Sequence, residues 1–199
     1  FGNSQWSTDP SEPKLIGEGI QPQVKATSDG GVYIAWITDG NYHIYIQRLN
    51  LNGEIQFNDS GMLISDNPNS SWIAINHINL DVDSEDNAIL TTVDQRTGVW
   101  EVYAWKISPE GDLIWGEDGI VVTDYGLVNM SPRISLLADN SVIVSCTHND
   151  NRVFIQRILP GGNLLFDGGL IIEHETQAFI APQSIISSYD SFLIQWIGQ

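Results

Sequence analysis

The sequence predicts an all-β fold, a β-propeller-like array of four-stranded antiparallel blades, and three observations predict it. First, YIQRLNLNGEIQF (45–57), YAWKISPEGDLIW (103–115) and FIQRILPGGNLLF (154–166) share one pattern. An aromatic is followed three residues on by a cation (Arg48, Lys106, Arg157), five further by a glycine (Gly53, Gly111, Gly162) and four further by a second aromatic (Phe57, Trp115, Phe166). Second, the opening FGNSQW fits the end of that pattern through Gly2 and Trp6, so the glycines recur at intervals of 51, 58 and 51 residues. Units of about 50 residues are the period of propeller-type repeats. Third, the apolar residues form short β-like runs bounded by turn residues, with no helical period anywhere.

Each period justifies four strands in order. The first run alternates: residues 24–27, 78–82, 134–136 and 184–186. A turn follows in SDGG (28–31), SEDN (84–87), ADNS (138–141) and SYDS (188–191), where Asp, Asn and Gly tolerate left-handed backbone. The second run is more continuously apolar: VYIAW (32–36), AILTTV (88–93), SVIVSC (141–146) and SFLIQW (191–196). A polar loop leads to the third run, which carries the opening pattern, and its glycine turn leads to a fourth in MLIS (62–65), IVVT (120–123) and LIIE (170–173).

The chain therefore reads as a single propeller-like domain or fragment over 1–199. Residues 1–19 end one blade, 20–66, 76–124 and 130–175 form three complete blades, and 181–199 give the first two strands of a further blade. Opening on Phe1 in mid-repeat, it is expected to be a processed or excised piece, with a longer propeller chain as a partner.

Twenty-five acids against eight bases give a net charge of −17. Such a surface repels phosphate backbones, which excludes nucleic acid as a partner class and disfavours anionic lipid. No apolar stretch approaches the roughly 20 residues that cross a bilayer, so membrane insertion is not expected. Cys146 is the only cysteine, and no internal disulfide can form.

The blade pattern resembles the propeller repeats of large secreted bacterial surface proteins, which often carry a C-terminal secretion-sorting domain. Pro22, Trp36, Tyr45, Gln47, Arg48, Gly53 and Gly61 carry the resemblance in the first copy. Asp94, Arg96, Gly98, Trp100, Tyr103, Gly111, Trp115 and Gly119 carry it in the second. The third copy departs, with Cys146 at the Trp36 place and no Asp-x-Arg-x-Gly loop. The resemblance implies the fold and an extracellular or cell-surface address, and supplies no catalytic set.

Among the chemistry-bearing residues, His43, His77, His148 and His174 lack the close His-His or His-Cys spacing of zinc sites, and no metal or cofactor is expected. The run LDVDSEDN (80–87) places Asp81, Asp83 and Glu85 at alternate positions, yet it lacks the glycine and distal glutamate of a calcium loop and aligns with plain turns. Arg48, Lys106 and Arg157 are expected to tie their blades to neighbouring carboxylates or carbonyls. Cys146 is expected to be a small core residue.

Tyr42, Trp72, Trp100, Tyr125 and Phe179 fall outside the repeated strand positions, in loops that propeller topology gathers on one rim. Rigid aromatics of that kind stack on sugar rings or grip partner side chains. No Ser-His-Asp set, phosphate-binding glycine loop or Ser-x-Asp-x-Gly-x-Thr-Trp box is present. The expectation is thus a non-catalytic extracellular binding or scaffolding module, not an enzyme, recognising a glycan or a protein through those five residues. The alternative is a glycoside hydrolase or lyase-like propeller using axial carboxylates.

Overall fold

The computed structural model describes residues 11, 13–67, 78–123, 126–188 and 190–199, and among these there is no helix. The first sheet runs β1 (Ile20–Ala26), β2 (Val32–Ile37), β3 (Ile44–Leu49), β4 (Met62–Ser65), hydrogen-bonded in that order. The second runs β5 (Asn79–Val82), β6 (Ala88–Asp94), β7 (Glu101–Ile107), β8 (Ile120–Val121). The third runs β9 (Asn129–Leu136), β10 (Val142–His148), β11 (Arg152–Ile158), β12 (Leu170–Ile172). A fourth holds β13 (Phe179–Ile186) and β14 (Phe192–Gly198). Every pairing is antiparallel.

Apolar clusters lie between successive sheets. Tyr33, Ala35 and Ile37 of the first meet Leu80, Leu90, Tyr103 and Trp105 of the second. Ile89, Val93 and Trp115 of the second meet Val144, Cys146 and Phe154 of the third. Ile143 and Ile155 of the third meet Phe179, Phe192 and Ile194 of the fourth. A middle strand is thus covered on both faces, which is why the second run of each period is continuously apolar rather than alternating. All seven residues of β6, and all seven of β10, are buried.

The glycine turns have one geometry. Gly53, Gly111 and Gly162 take φ of 74°, 94° and 89°, a region costly for any residue with a Cβ. Just beyond them Leu49 bridges Ile55, Ile107 bridges Leu113 and Ile158 bridges Leu164. The aromatic after the turn reaches forward to the next sheet: Phe57 lies against Gly111, and Trp115 against Gly162 with its Nε1 donating to Pro160 O at 3.1 Å. A second forward contact joins the first hairpin turns. Ser28 donates through N and Oγ to the Asp86 carboxylate, and Ser84 through N and Oγ to Asn140 Oδ1.

The third-strand cations pair within their own sheets, as the sequence suggests. Arg48 binds Asp29 at 2.6 Å and Arg157 binds Asp139 at 2.7 Å. Lys106 instead reaches Asp83 at 2.8 Å, and both side chains are buried. Burial opposes the Asp83 charge, but the Lys106 ammonium and the Asn87 amide outweigh it and hold the carboxyl below its ordinary range. Cys146 is a buried core residue facing Phe154 across the ladder, and burial pushes its thiol well above the usual value.

The first strands are longer than the sequence suggests. Gln21, Ser131 and Ala181 each precede a proline with φ of 53°, 54° and 49°, and each sits where the register shifts against the second strand. The left-handed residue forms a bulge, and pairing resumes on the other side of a proline that lacks an N–H. Strand β13 therefore begins at Phe179, which the sequence places in a connection.

Candidate functional site

Three of the five aromatics assigned to one rim, Tyr42, Trp100 and Phe179, lie among the described residues. Trp72 and Tyr125 lie outside the described residues. Tyr42 is half-buried against the cluster between the first two sheets, with φ 58°. Trp100 packs on the next cluster, and Phe179 on the third, its ring 5.4 Å from Trp196 and 6.0 Å from His174. Each described ring thus leans on a different inter-sheet cluster.

The Asp-x-Arg-x-Gly loop that carries the resemblance builds a closed ionic knot. Asp94, at the end of β6, accepts from Arg96 Nη2 at 2.6 Å and from Nε at 3.0 Å. The guanidinium lies 3.7 Å from the centre of the Tyr103 ring, and its Nη1 donates to Asp118 O. Opposite Asp94 in the ladder stands Glu101, whose Oε2 accepts from Thr97 Oγ1 at 2.9 Å and from the Tyr103 hydroxyl at 3.1 Å. Burial, then the Asp94 and Glu101 charges, push the Tyr103 phenol above its usual value, so it stays a donor. Glu101 and Asp94 are 0% and 1% exposed, so the knot fastens the loop and is closed to a substrate.

The first strands of the four sheets carry Gln23, Asn79, Arg133 and Gln183 at one equivalent place. The first-strand carboxylate Asp81 is engaged by Lys25 of the first sheet at 3.3 Å, while Asp83 turns to Lys106, so the two do not converge on a calcium position. No cluster of three or more metal-ligating side chains occurs among the described residues. The axial carboxylate pair of the alternative reading is absent from these described strands.

Two carboxylates do line one accessible cavity elsewhere. A hollow of about 370 Å³ on the outer side of the first sheet is lined by Glu18, Asp59, Trp36, Tyr45 and Thr38, among others. The segment 13–19 and the turn before β4 form its walls. Gly17, Gly19 and Gly61 come so close to the Trp36 indole or the Ile37 carbonyl that any Cβ there would collide, so the walls depend on glycine. Trp36 stacks on Tyr45, ring centres 6.0 Å apart and planes 16° from parallel, and forms the floor. Glu18 and Asp59 are exposed. Its volume and its mixed polar and aromatic lining match an organic-ligand site.

Neither Glu18 nor Asp59 stands out in the sequence. The available signal is an acid two residues before the glycine that closes on an aromatic: Asp59 before Gly61, Glu117 before Gly119, Asp167 before Gly169.

No protein-family model matches the chain, and no curated protein is similar to it. Among the solved structures similar to it are two glycan-cleaving enzymes by name. A thermostable family-43 glycoside hydrolase aligns at TM-score 0.49 and 12% identity, over 88% of this chain and 64% of its own. An endo-arabinase from Bacteroides thetaiotaomicron aligns at TM-score 0.43 and 17% identity, over 88% of this chain and 68% of its own. The chain thus spans about two thirds of the length of each. Both are enzymes by name, and that finding corrects the expectation of a non-catalytic, non-enzymatic module. No helix among the described residues is long and apolar enough to cross a membrane.

Proposed function

We propose that the chain is the larger part of a propeller-like, glycoside-cleaving domain that acts outside the cell on a glycan, within a longer secreted surface protein. One observation carries the reading: two exposed carboxylates, Glu18 and Asp59, share a 370 Å³ cavity whose floor is the stacked pair Trp36 and Tyr45. Glycosidic cleavage needs a carboxylic acid to protonate the leaving oxygen and a carboxylate to act as nucleophile or to activate water, with an aromatic surface to hold the sugar.

The test is release of reducing ends from a panel of soluble polysaccharides by the wild-type protein, Glu18→Gln and Asp59→Asn. General acid–base catalysis contributes about 10²–10⁴-fold, so each variant should lose at least about a hundredfold in kcat/KM. Because both carboxylates are exposed, Tm should hold within about 2 °C. Wild-type activity retained by both variants would place the chemistry elsewhere, and no release from any polymer would remove the hydrolase assignment.

A further inference from the structure

The three glycine turns share one geometry and differ in the residue before the glycine: Asn52 before Gly53, Glu110 before Gly111 and Gly161 before Gly162. Asn52 is the chain's only asparagine followed directly by glycine. That order matters chemically. A main-chain nitrogen can attack the side-chain amide carbon of the residue before it, and glycine brings no Cβ to obstruct the approach.

The first turn leaves that amide free. Leu51, Asn52 and Glu54 are exposed, and among the described residues the Asn52 side chain makes no hydrogen bond. Asn50 holds the turn instead: its Oδ1 accepts from the N–H of Asn52 and of Glu54, each at 3.0 Å, and its Nδ2 donates to the Glu54 carboxylate. The Gly53 N–H donates to Asn50 O at 2.8 Å, so attack waits for the turn to open. Openings of that kind are commonest in exposed turns with few apolar contacts.

Asn140 is the opposite case. It too precedes a small residue, Ser141, with φ of 62°. Its Oδ1, however, is held by the N–H and hydroxyl of Ser84. Ser141 is fully buried, and its N–H donates to Asp139 Oδ1 at 3.0 Å. Two neighbours must let go before the nitrogen can reach the amide carbon.

We infer that Asn52 is a site of spontaneous covalent modification, converted through a succinimide to aspartate and isoaspartate. The Gly53 nitrogen gives up its proton and bonds to Asn52 Cγ, the Cγ–Nδ2 bond breaks, and ammonia leaves with that proton. Water then opens the ring. Addition at Cγ breaks the new bond to nitrogen and leaves aspartate, whereas addition at the Asn52 main-chain carbonyl breaks the original peptide bond and leaves the chain running through Cγ as isoaspartate. Aspartate puts a carboxylate where the second turn has Glu110. Isoaspartate adds a carbon to the main chain inside a turn closed by two hydrogen bonds, Gly53 N to Asn50 O and Asn50 N to Glu54 O.

The test is incubation of the intact protein in warm, mildly alkaline buffer made with heavy-oxygen water, followed by peptide mapping and mass spectrometry. The peptide holding Asn52 should gain heavy oxygen and split into two chromatographic forms, at least about tenfold faster than the peptide holding Asn140. Asn52→Gln, whose longer side chain closes a ring much less readily, should leave that peptide unchanged. A synthetic peptide of residues 48–56, too short to keep the turn, gives the rate without the fold. No conversion at Asn52 of the folded chain over a time in which the synthetic peptide converts would overturn the inference, as would conversion of Asn140 first. Heavy-oxygen gain that persists in Asn52→Gln would also overturn it, because the modified residue would then lie elsewhere in the peptide.

Discussion

The second and fourth sheets begin from the same pattern and end in opposite environments. In the second, β6 and β7 are buried at every residue, between the clusters shared with the first and third sheets. In the fourth, β14 is half-buried at Phe192 and Ile194 and exposed elsewhere, because the third sheet covers one face alone. AILTTV and FLIQWI read alike as strands. A local pattern sets the strand and its register, whereas burial, and with it nearly all the stabilisation, comes from the neighbouring sheet.

The largest expected contrast is ionic. Lys106→Met leaves Asp83 buried without its cation and should cost about 3–5 kcal/mol at pH 7. The equivalent Arg157→Met breaks a pair whose side chains are 20% and 35% exposed, and should cost about 1 kcal/mol or less. The Asp83 carboxyl is depressed in the folded state, so its contribution is complete above the unfolded value of about 3.9 and is lost as pH falls through the folded one. In the Lys106→Met variant burial without the cation raises the Asp83 carboxyl, so urea melts should show the deficit beginning to narrow above about pH 4 and shrinking further as pH falls. A deficit that stays constant down to pH 2 would mean that the loss is one of packing, not charge.

Next comes the apolar row. Ile89→Ala, in the second sheet, should lower stability by about 2–5 kcal/mol, while Leu193→Ala at the equivalent place in β14 should stay within about 0.5 kcal/mol. Denaturation midpoints check both, and a large loss at Leu193 would show that something covers β14 in solution. The smallest effect is the serine contact between hairpin turns. Ser84→Ala removes a hydroxyl donor to Asn140 and should cost about 0.5–1.5 kcal/mol. Asn140→Gly, which tolerates the φ of 62° there, also removes the acceptor of the Ser84 N–H, and a double-mutant cycle with Ser84→Ala isolates the hydroxyl's share.

Much of this fold is legible in the sequence because each unit repeats its punctuation. The positions of Gly53, Gly111 and Gly162 locate the turns, and Arg48, Lys106 and Arg157 locate strands whose acids lie in their own sheets. The first strands were harder. Pro22, Pro132 and Pro182 look like terminators, and only the left-handed residue before each lets the strand continue. The candidate site was the least legible. Glu18 and Asp59 belong to segments 41 residues apart, counting from 18 to 59, and line one cavity in the fold, where Gly17 and Gly61 lie against the Trp36 indole. The Asp94 and Glu101 carboxylates show the reverse. The loop motif is plain to see, and three-dimensional packing turns its charges into a fastening.

The serine contact between hairpin turns also has a direction, and direction bears on how such a protein could be rebuilt. The donor is the first turn residue of one sheet and the acceptor the third turn residue of the next. The first sheet has the donor Ser28 but Gly30 where an acceptor would stand, and the third has the acceptor Asn140 but Ala138 in place of a donor. Of the three complete sheets only the second, with Ser84 and Asp86, is fitted at both ends. A tandem duplication of residues 76–124 would therefore create a junction in which the first copy's Ser84 finds the second copy's Asp86 waiting, whereas exchanging the first and third units would abolish the contact at both junctions. Lengthening the array in the middle therefore keeps this contact, and permuting the outer units loses it.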